Sequence, residues 1–174
     1  MKVKMGLSQK SIQEAIKQIE KYKSDINKKC EEYVDQLAKI GEQVAIQAIN
    51  ESPIGNQITL SIDREPSEMG CKAVLIATGK VHEVKDRDPF YTVLAVEFGA
   101  GIHYNPEPNP KANDMGYGVG TYPGQIHAFE DGWYYLGEDN KWHYSRGIKA
   151  TMPIYKASME IISQYEKIFK EVFS

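Results

Sequence analysis

The chain has 174 residues and a formal net charge of −3. That is enough for one domain with a buried core, without the basic excess of a dedicated nucleic-acid binder. Hydrophobic residues make up 41% and charged residues 26%, which argues against a disordered chain, and no window approaches the ~18 consecutive apolar residues of a spanning helix.

The N-terminal Met1-Lys2-Val3-Lys4-Met5-Gly6-Leu7 is positively charged but has no apolar core, so no signal peptide is expected. Residues 8–51 predict a helical arm, with Ser8 as N-cap and no proline inside. Apolar positions recur at Ile12, Ile16, Ile19, Ile26, Cys30, Tyr33, Leu37, Ile40 and Val44, spaced alternately four and three from Ile26 onward. Lys23 takes the stripe position between Ile19 and Ile26, and Ser24-Asp25 could cap a second helix. The expectation is one long helix, or two broken near residues 22–25. The carboxyl half is expected to pack on the domain's own sheet. The thinner stripe of Ile12, Ile16 and Ile19 is expected to meet a neighbouring subunit.

Pro53 and Gly55 end the arm. Gln57 to Asp63 alternates apolar and polar residues, as a half-exposed strand does, and Glu65 to Gly70 reads as a polar turn. Cys71 to Thr78 is apolar on both faces, which predicts a central strand covered on both sides. Phe90 to Phe98 predicts a third strand, ending in the lone carboxylate Glu97. Cys30 and Cys71 show no metal or redox spacing and read as reduced, buried thiols.

Residues 99–149 are rich in glycine, proline and aromatics and form a long excursion of the kind that is usually functional. Within it, Trp133 to Leu136 and Lys141 to Tyr144 flank Gly137-Glu138-Asp139-Asn140, which predicts a β-hairpin pairing Tyr135 with Trp142 and Trp133 with Tyr144. A closing helix over 152–173 begins at Thr151 or Met152 with Pro153 in its first turn. Its buried stripe is expected to be Ile154, Ala157, Ile161, Tyr165, Ile168 and Val172, widened by Ile162, Phe169 and Phe173. The fold class is therefore α+β in a single domain: a long N-terminal helical arm, a small antiparallel sheet of about three strands, an inserted loop with a hairpin, and a C-terminal helix packed on the sheet.

Motifs for chemistry are weak. His103, His127 and His143 lie near Glu130 and Asp131 but lack metal-ligand spacing. Glu97 with Glu130 or Asp131 would be the carboxylate pair of a glycosidase. A small metal- or carboxylate-dependent hydrolase using the 99–149 loop is therefore the alternative reading. Gly116, Gly118, Gly120 and Gly124 lack the lysine and helix start of a phosphate loop. For Glu97 itself, a salt bridge within the fold and a contact with another subunit are both open.

Three stretches in order carry a likeness. Val96-Glu97-Phe98-Gly99, then Gly120-Thr121-Tyr122-Pro123-Gly124-Gln125-Ile126-His127-Ala128-Phe129, then Thr151-Met152-Pro153-Ile154-Tyr155-Lys156-Ala157 together resemble the head–tail joining (neck and tail-completion) proteins of tailed phages. The likeness covers most of residues 30–172. In that family the first motif ends a central strand. The resemblance implies a non-enzymatic virion protein of a phage or prophage, present in the bacterial host cytoplasm during assembly. It implies a homo-oligomeric ring between connector or adaptor proteins and the tail terminator or tail tube. DNA would pass through without specific binding, no membrane would be involved, and no cofactor or metal is expected. Mild acidity suits such a channel, because cationic contacts would grip the phosphates. The residues expected at assembly contacts are Glu97, Phe98, Tyr104, Tyr117, Tyr122, Trp133, Tyr135 and Trp142, together with Ile12, Ile16 and Ile19.

Overall fold

The computed structural model describes residues 3, 6–67, 70–83, 89–100, 109–112, 114, 133–136 and 139–174; for Pro66, Ser67, Trp133, Tyr135 and Leu136 it describes the backbone alone. The fold is α+β: a long N-terminal helix, small antiparallel sheets and a C-terminal helix.

Helix α1 runs unbroken from Gln9 to Asn50, 42 residues or about 63 Å. Ser8 caps it, its side chain accepting from the Ser11 amide at 3.2 Å. Ser24-Asp25 does not divide it. Lys23 is exposed, so its ammonium stays in water and the helix needs no break to accommodate it. A short 3₁₀ turn at Gly55–Gln57 redirects the chain. A Cβ on Gly55 would run into the Ile49 carbonyl oxygen, so this turn needs glycine for close approach.

Strands β1 (Ile58–Ser67) and β2 (Gly70–Gly79) pair antiparallel along their whole length, from Ile58↔Gly79 to Ser67↔Gly70. The expected polar turn is thus mostly strand. Ile58, Leu60 and Ile62 share a face, as the alternation predicts, and their partners on it are Gly79, Ala77 and Leu75. Arg64 lies on the same face and donates to Asp35 of α1 at 2.7 Å. Cys71, Ala73 and Leu75 meet Val34, Leu37 and Ala38 of α1 there. Among the described residues β2 is not a central strand: its sheet there has two strands, and Ile76 on the outer face is exposed.

The third expected strand is mostly helix. Only Phe90–Tyr91 is extended (β4), pairing with β3 (Val81–His82). Thr92–Phe98 is helix α2. Thr92, Ala95 and Val96 fall on one helical face and are fully buried, a spacing a helix satisfies and a strand does not. Thr92 anchors the start, its hydroxyl donating to the Lys80 carbonyl at 2.7 Å. Gly99, at φ 80°, ends the helix, its amide donating to the Ala95 carbonyl at 2.9 Å.

β5 (Trp133–Leu136) and β6 (Trp142–Ser145) form the predicted hairpin, but one residue out of the predicted register. Tyr134 opposes Tyr144 and Leu136 opposes Trp142. The connection spans residues 137–141 and includes Asn140 at φ 60°, one residue more than the four that were expected. Helix α3 (Pro153–Phe173) starts with Pro153 at its first position, after Met152 in the left-handed region.

α3 lies along the carboxyl half of α1. A Cβ on Gly41 would meet Ile161 at 2.7 Å and Ala157 at 3.7 Å, so small residues let the two helices approach closely. Tyr33 of α1 meets Phe169 and Phe173 edge-on, and Lys29 sits over the Phe173 ring. Ile161 also reaches the β2 face beside Cys71 and Leu75. The core therefore gathers around residues 38–49 of α1. α3 ends level with Lys29, leaving residues 9–28 of α1 beyond it.

Candidate assembly surfaces

α2 exists, in effect, to place Glu97. The N-terminus of α3 has exposed amides and no side-chain cap of its own. Glu97 supplies it from 57 residues away: Oε2 accepts from the Ile154 amide at 2.8 Å, and Oε1 accepts from the Tyr155 amide at 3.0 Å. Oε1 also accepts from Asn109 Nδ2 at 2.8 Å. The Thr151 and Met152 amides donate to the Val96 carbonyl. Burial pushes the Glu97 carboxyl above its ordinary value, against the pull of the Ile154 and Tyr155 amides, Asn109 and Lys156.

The neighbouring cation Lys156 pairs instead with Glu51 at 3.7 Å. Among the described residues Glu97 therefore forms no salt bridge. Its partners are amides of its own chain, and it is 7% exposed. Phe98 is buried as well. Both were expected at an assembly surface and both lie inside the fold. The motif that was expected to end a strand ends a short capping helix.

The arm isoleucines are open to solvent. Ile12, Ile16 and Ile19 are exposed, at 40%, 49% and 57%. Tyr22 and Ile26 continue the face. This is the same helical face that α3 covers further along α1, at Tyr33 and Gly41.

A second apolar surface was missed. Ile162, Tyr165 and Phe169 were expected to be buried, but Ile162 is 60% exposed and the other two about half. With Met159, also exposed, they form a stripe on the side of α3 away from the sheet. The available signal was width: an apolar face that broad exceeds what one partner helix covers. Beside it, Tyr33, Tyr165, Glu166, Phe169 and Lys170 line a shallow hollow of about 200 Å³.

The hairpin shows a third surface. Trp142 is exposed, and Tyr134 and Tyr144 lie with ring centroids 5.1 Å apart on the same face. His143 instead meets Asp139 at 2.8 Å. Trp133 and Tyr135 are described only as strand backbone. Tyr104, Tyr117 and Tyr122 lie outside the described residues, as do His103, His127, Glu130, Asp131 and the glycines at 116, 118, 120 and 124.

Cys30 and Cys71 are half-buried free thiols. Burial, then the neighbouring Cys30, pushes the Cys71 thiol up. Among the described residues no three His, Cys, Asp or Glu converge as a metal site, and no helix is long and apolar enough to cross a membrane. No family model, curated protein or solved structure matches the chain.

Proposed function

We propose that this chain is a structural protein of a tailed-phage or prophage particle, one subunit of the neck ring that joins head to tail. The observation that carries the reading is the α1 arm. Residues 9–28 project past the end of α3 with Ile12, Ile16, Ile19 and Tyr22 exposed around the buried Ala15. A soluble protein that exposes such a stripe gains by burying it against a partner. The ordered likeness of three sequence stretches to head–tail joining proteins supplies the kind of partner: other copies in a ring, connector or adaptor proteins on one side, and tail terminator or tail-tube proteins on the other.

Light scattering across a concentration series tests this, on the protein alone and mixed with connector and tail-terminator proteins of the same particle. The expected result is a discrete ring, or a stable complex in the mixture. A strict monomer in every mixture overturns the reading. DNA affinity in the same buffers is expected to be weak, without the steep salt dependence that many phosphate contacts impose.

A further inference from the structure

The two exposed helical stripes match each other. On the arm, the positions run Ile12, Ile16, Ile19, Lys23, Ile26. On α3, they run from the half-buried Tyr155 to the exposed Met159, Ile162, Glu166 and Phe169. Both series step by four, three, four and three residues. Each runs over fifteen residues, about 21 Å of helix from first to last. Each carries one charge on its line, at the same fourth position, and the two charges have opposite signs. Lys23 is exposed and makes no ion pair among the described residues. The exposed Glu166 accepts from the Tyr165 hydroxyl at 3.1 Å on the wall of the shallow hollow beside Phe169.

We infer that the arm of one copy docks parallel and in register along the outer face of α3 of the next copy, with Lys23 set against Glu166. A four-three spacing is the knobs-into-holes pattern of paired helices. Self-pairing of either stripe is disfavoured by its charge. Two arms side by side in register put Lys23 against Lys23, and two α3 helices put Glu166 against Glu166. An antiparallel pair of arms buries Lys23 against isoleucine, a cation without a partner. Only the mixed pair satisfies both charges, so the sequence selects the mixed contact by penalising the others.

A contact between two different surfaces of one chain is heterologous. It repeats from copy to copy and closes into a ring or runs on as a filament, whereas an arm–arm contact stops at a dimer. The inference rests on the neck reading for the setting in which copies meet, and it names the self-contact that would build the ring.

Charge reversal tests it, using the full chain and light scattering alone and with the connector. Lys23→Glu leaves two carboxylates facing each other across the contact, and Glu166→Lys leaves two ammonium groups. Each single change is therefore expected to weaken association by about tenfold or more. The double change K23E/E166K restores an opposite pair and is expected to recover association to near the wild-type level. Ile19→Ser and Ile162→Ser are expected to weaken assembly equally, with the melting temperature unchanged, since both side chains are exposed.

If the wild type assembles and the single reversals have no effect, or the double change does not rescue, the contact is wrong and the neck reading stands. If Ile19→Ser weakens assembly while Ile162→Ser does not, the arm docks elsewhere and the inference is overturned. If the wild type is a monomer in every mixture, both readings fall.

Discussion

Residues 9–28 and 29–50 of α1 share one helix axis and one phase of stripe positions, yet Ile16 is half exposed while Ala45 is fully buried. The difference lies in side-chain size as well as in coverage. The covered half presents Ala38, Gly41, Ala45 and Ala48, small residues that let α3 and β2 come close. The projecting half has one such buried residue, Ala15, and otherwise presents exposed isoleucines, which suit a wider, knob-by-knob contact. An apolar stripe announces that something covers it. The size of its residues distinguishes a tightly packed neighbour in the same chain from one that arrives later.

Substitutions on the two halves should therefore separate stability from assembly. The largest effect is expected in the covered half. Ala45→Asp puts an unpaired charge into the core and should cost about 3–5 kcal/mol of folding stability, read by chemical denaturation.

Next comes the joint that seats α3 on the covered half. Glu97→Gln keeps one acceptor oxygen but turns an amide group toward an N–H donor, and should cost about 1–3 kcal/mol. The same variant carries a pH signature. Because burial raises the native pKa of Glu97, the folded chain holds this proton more tightly than the unfolded one. The stabilising contribution of this group is complete below the ordinary glutamate value of about 4.3 and is lost as pH rises through the raised native value. Denaturation midpoints followed upward from pH 4 should show a decline in the wild type that is smaller in Glu97→Gln.

The smallest effect on folding is expected in the arm. The triple change Ile12→Ser, Ile16→Ser, Ile19→Ser removes exposed side chains, and serine and isoleucine have similar helix propensities. Stability should move by no more than about 0.5 kcal/mol, while self-association is lost. Hydrogen exchange sharpens the contrast without mutation: amides of residues 12–26 should exchange as a fraying helix does, and those of residues 38–49 only with global unfolding. Equal protection along all of α1 in the isolated monomer would break the comparison.

Much of this was legible in the residues. Ser8, the unbroken four-three stripe, the alternation of Ile58 to Ile62 and the Pro153 start all act through local geometry, and their elements form as predicted. Thr92 to Phe98 was misread because a short apolar run has no decisive period. The pointers were the buried spacing of Thr92, Ala95 and Val96, and Gly99 just beyond. The hairpin slipped one register because its connection is longer by one residue, and a single-residue slip exchanges the two faces. The role of Glu97 was out of reach, since its donors lie 12 and 57 or more residues away. The outer face of α3 was counted as core because the sequence shows an apolar width and not which part of it is covered.

The bridge between Ala100 and Ile148 has a consequence for the chain's history. Their amides and carbonyls exchange hydrogen bonds of 2.9 and 2.8 Å, so residues 100 and 148 are held side by side like a stem. What lies between can lengthen or shorten without moving the stem, and doubling such a span adds only about 0.6 kcal/mol of closure entropy. The body and the excursion can thus diverge at different rates. A graft that keeps Asn109 to Ala112 on Glu97 and replaces residues 113–146 with a short glycine-serine link should still give α1, β1, β2 and α3, which would mark that span as the exchangeable part of the molecule and the helical body as its chassis.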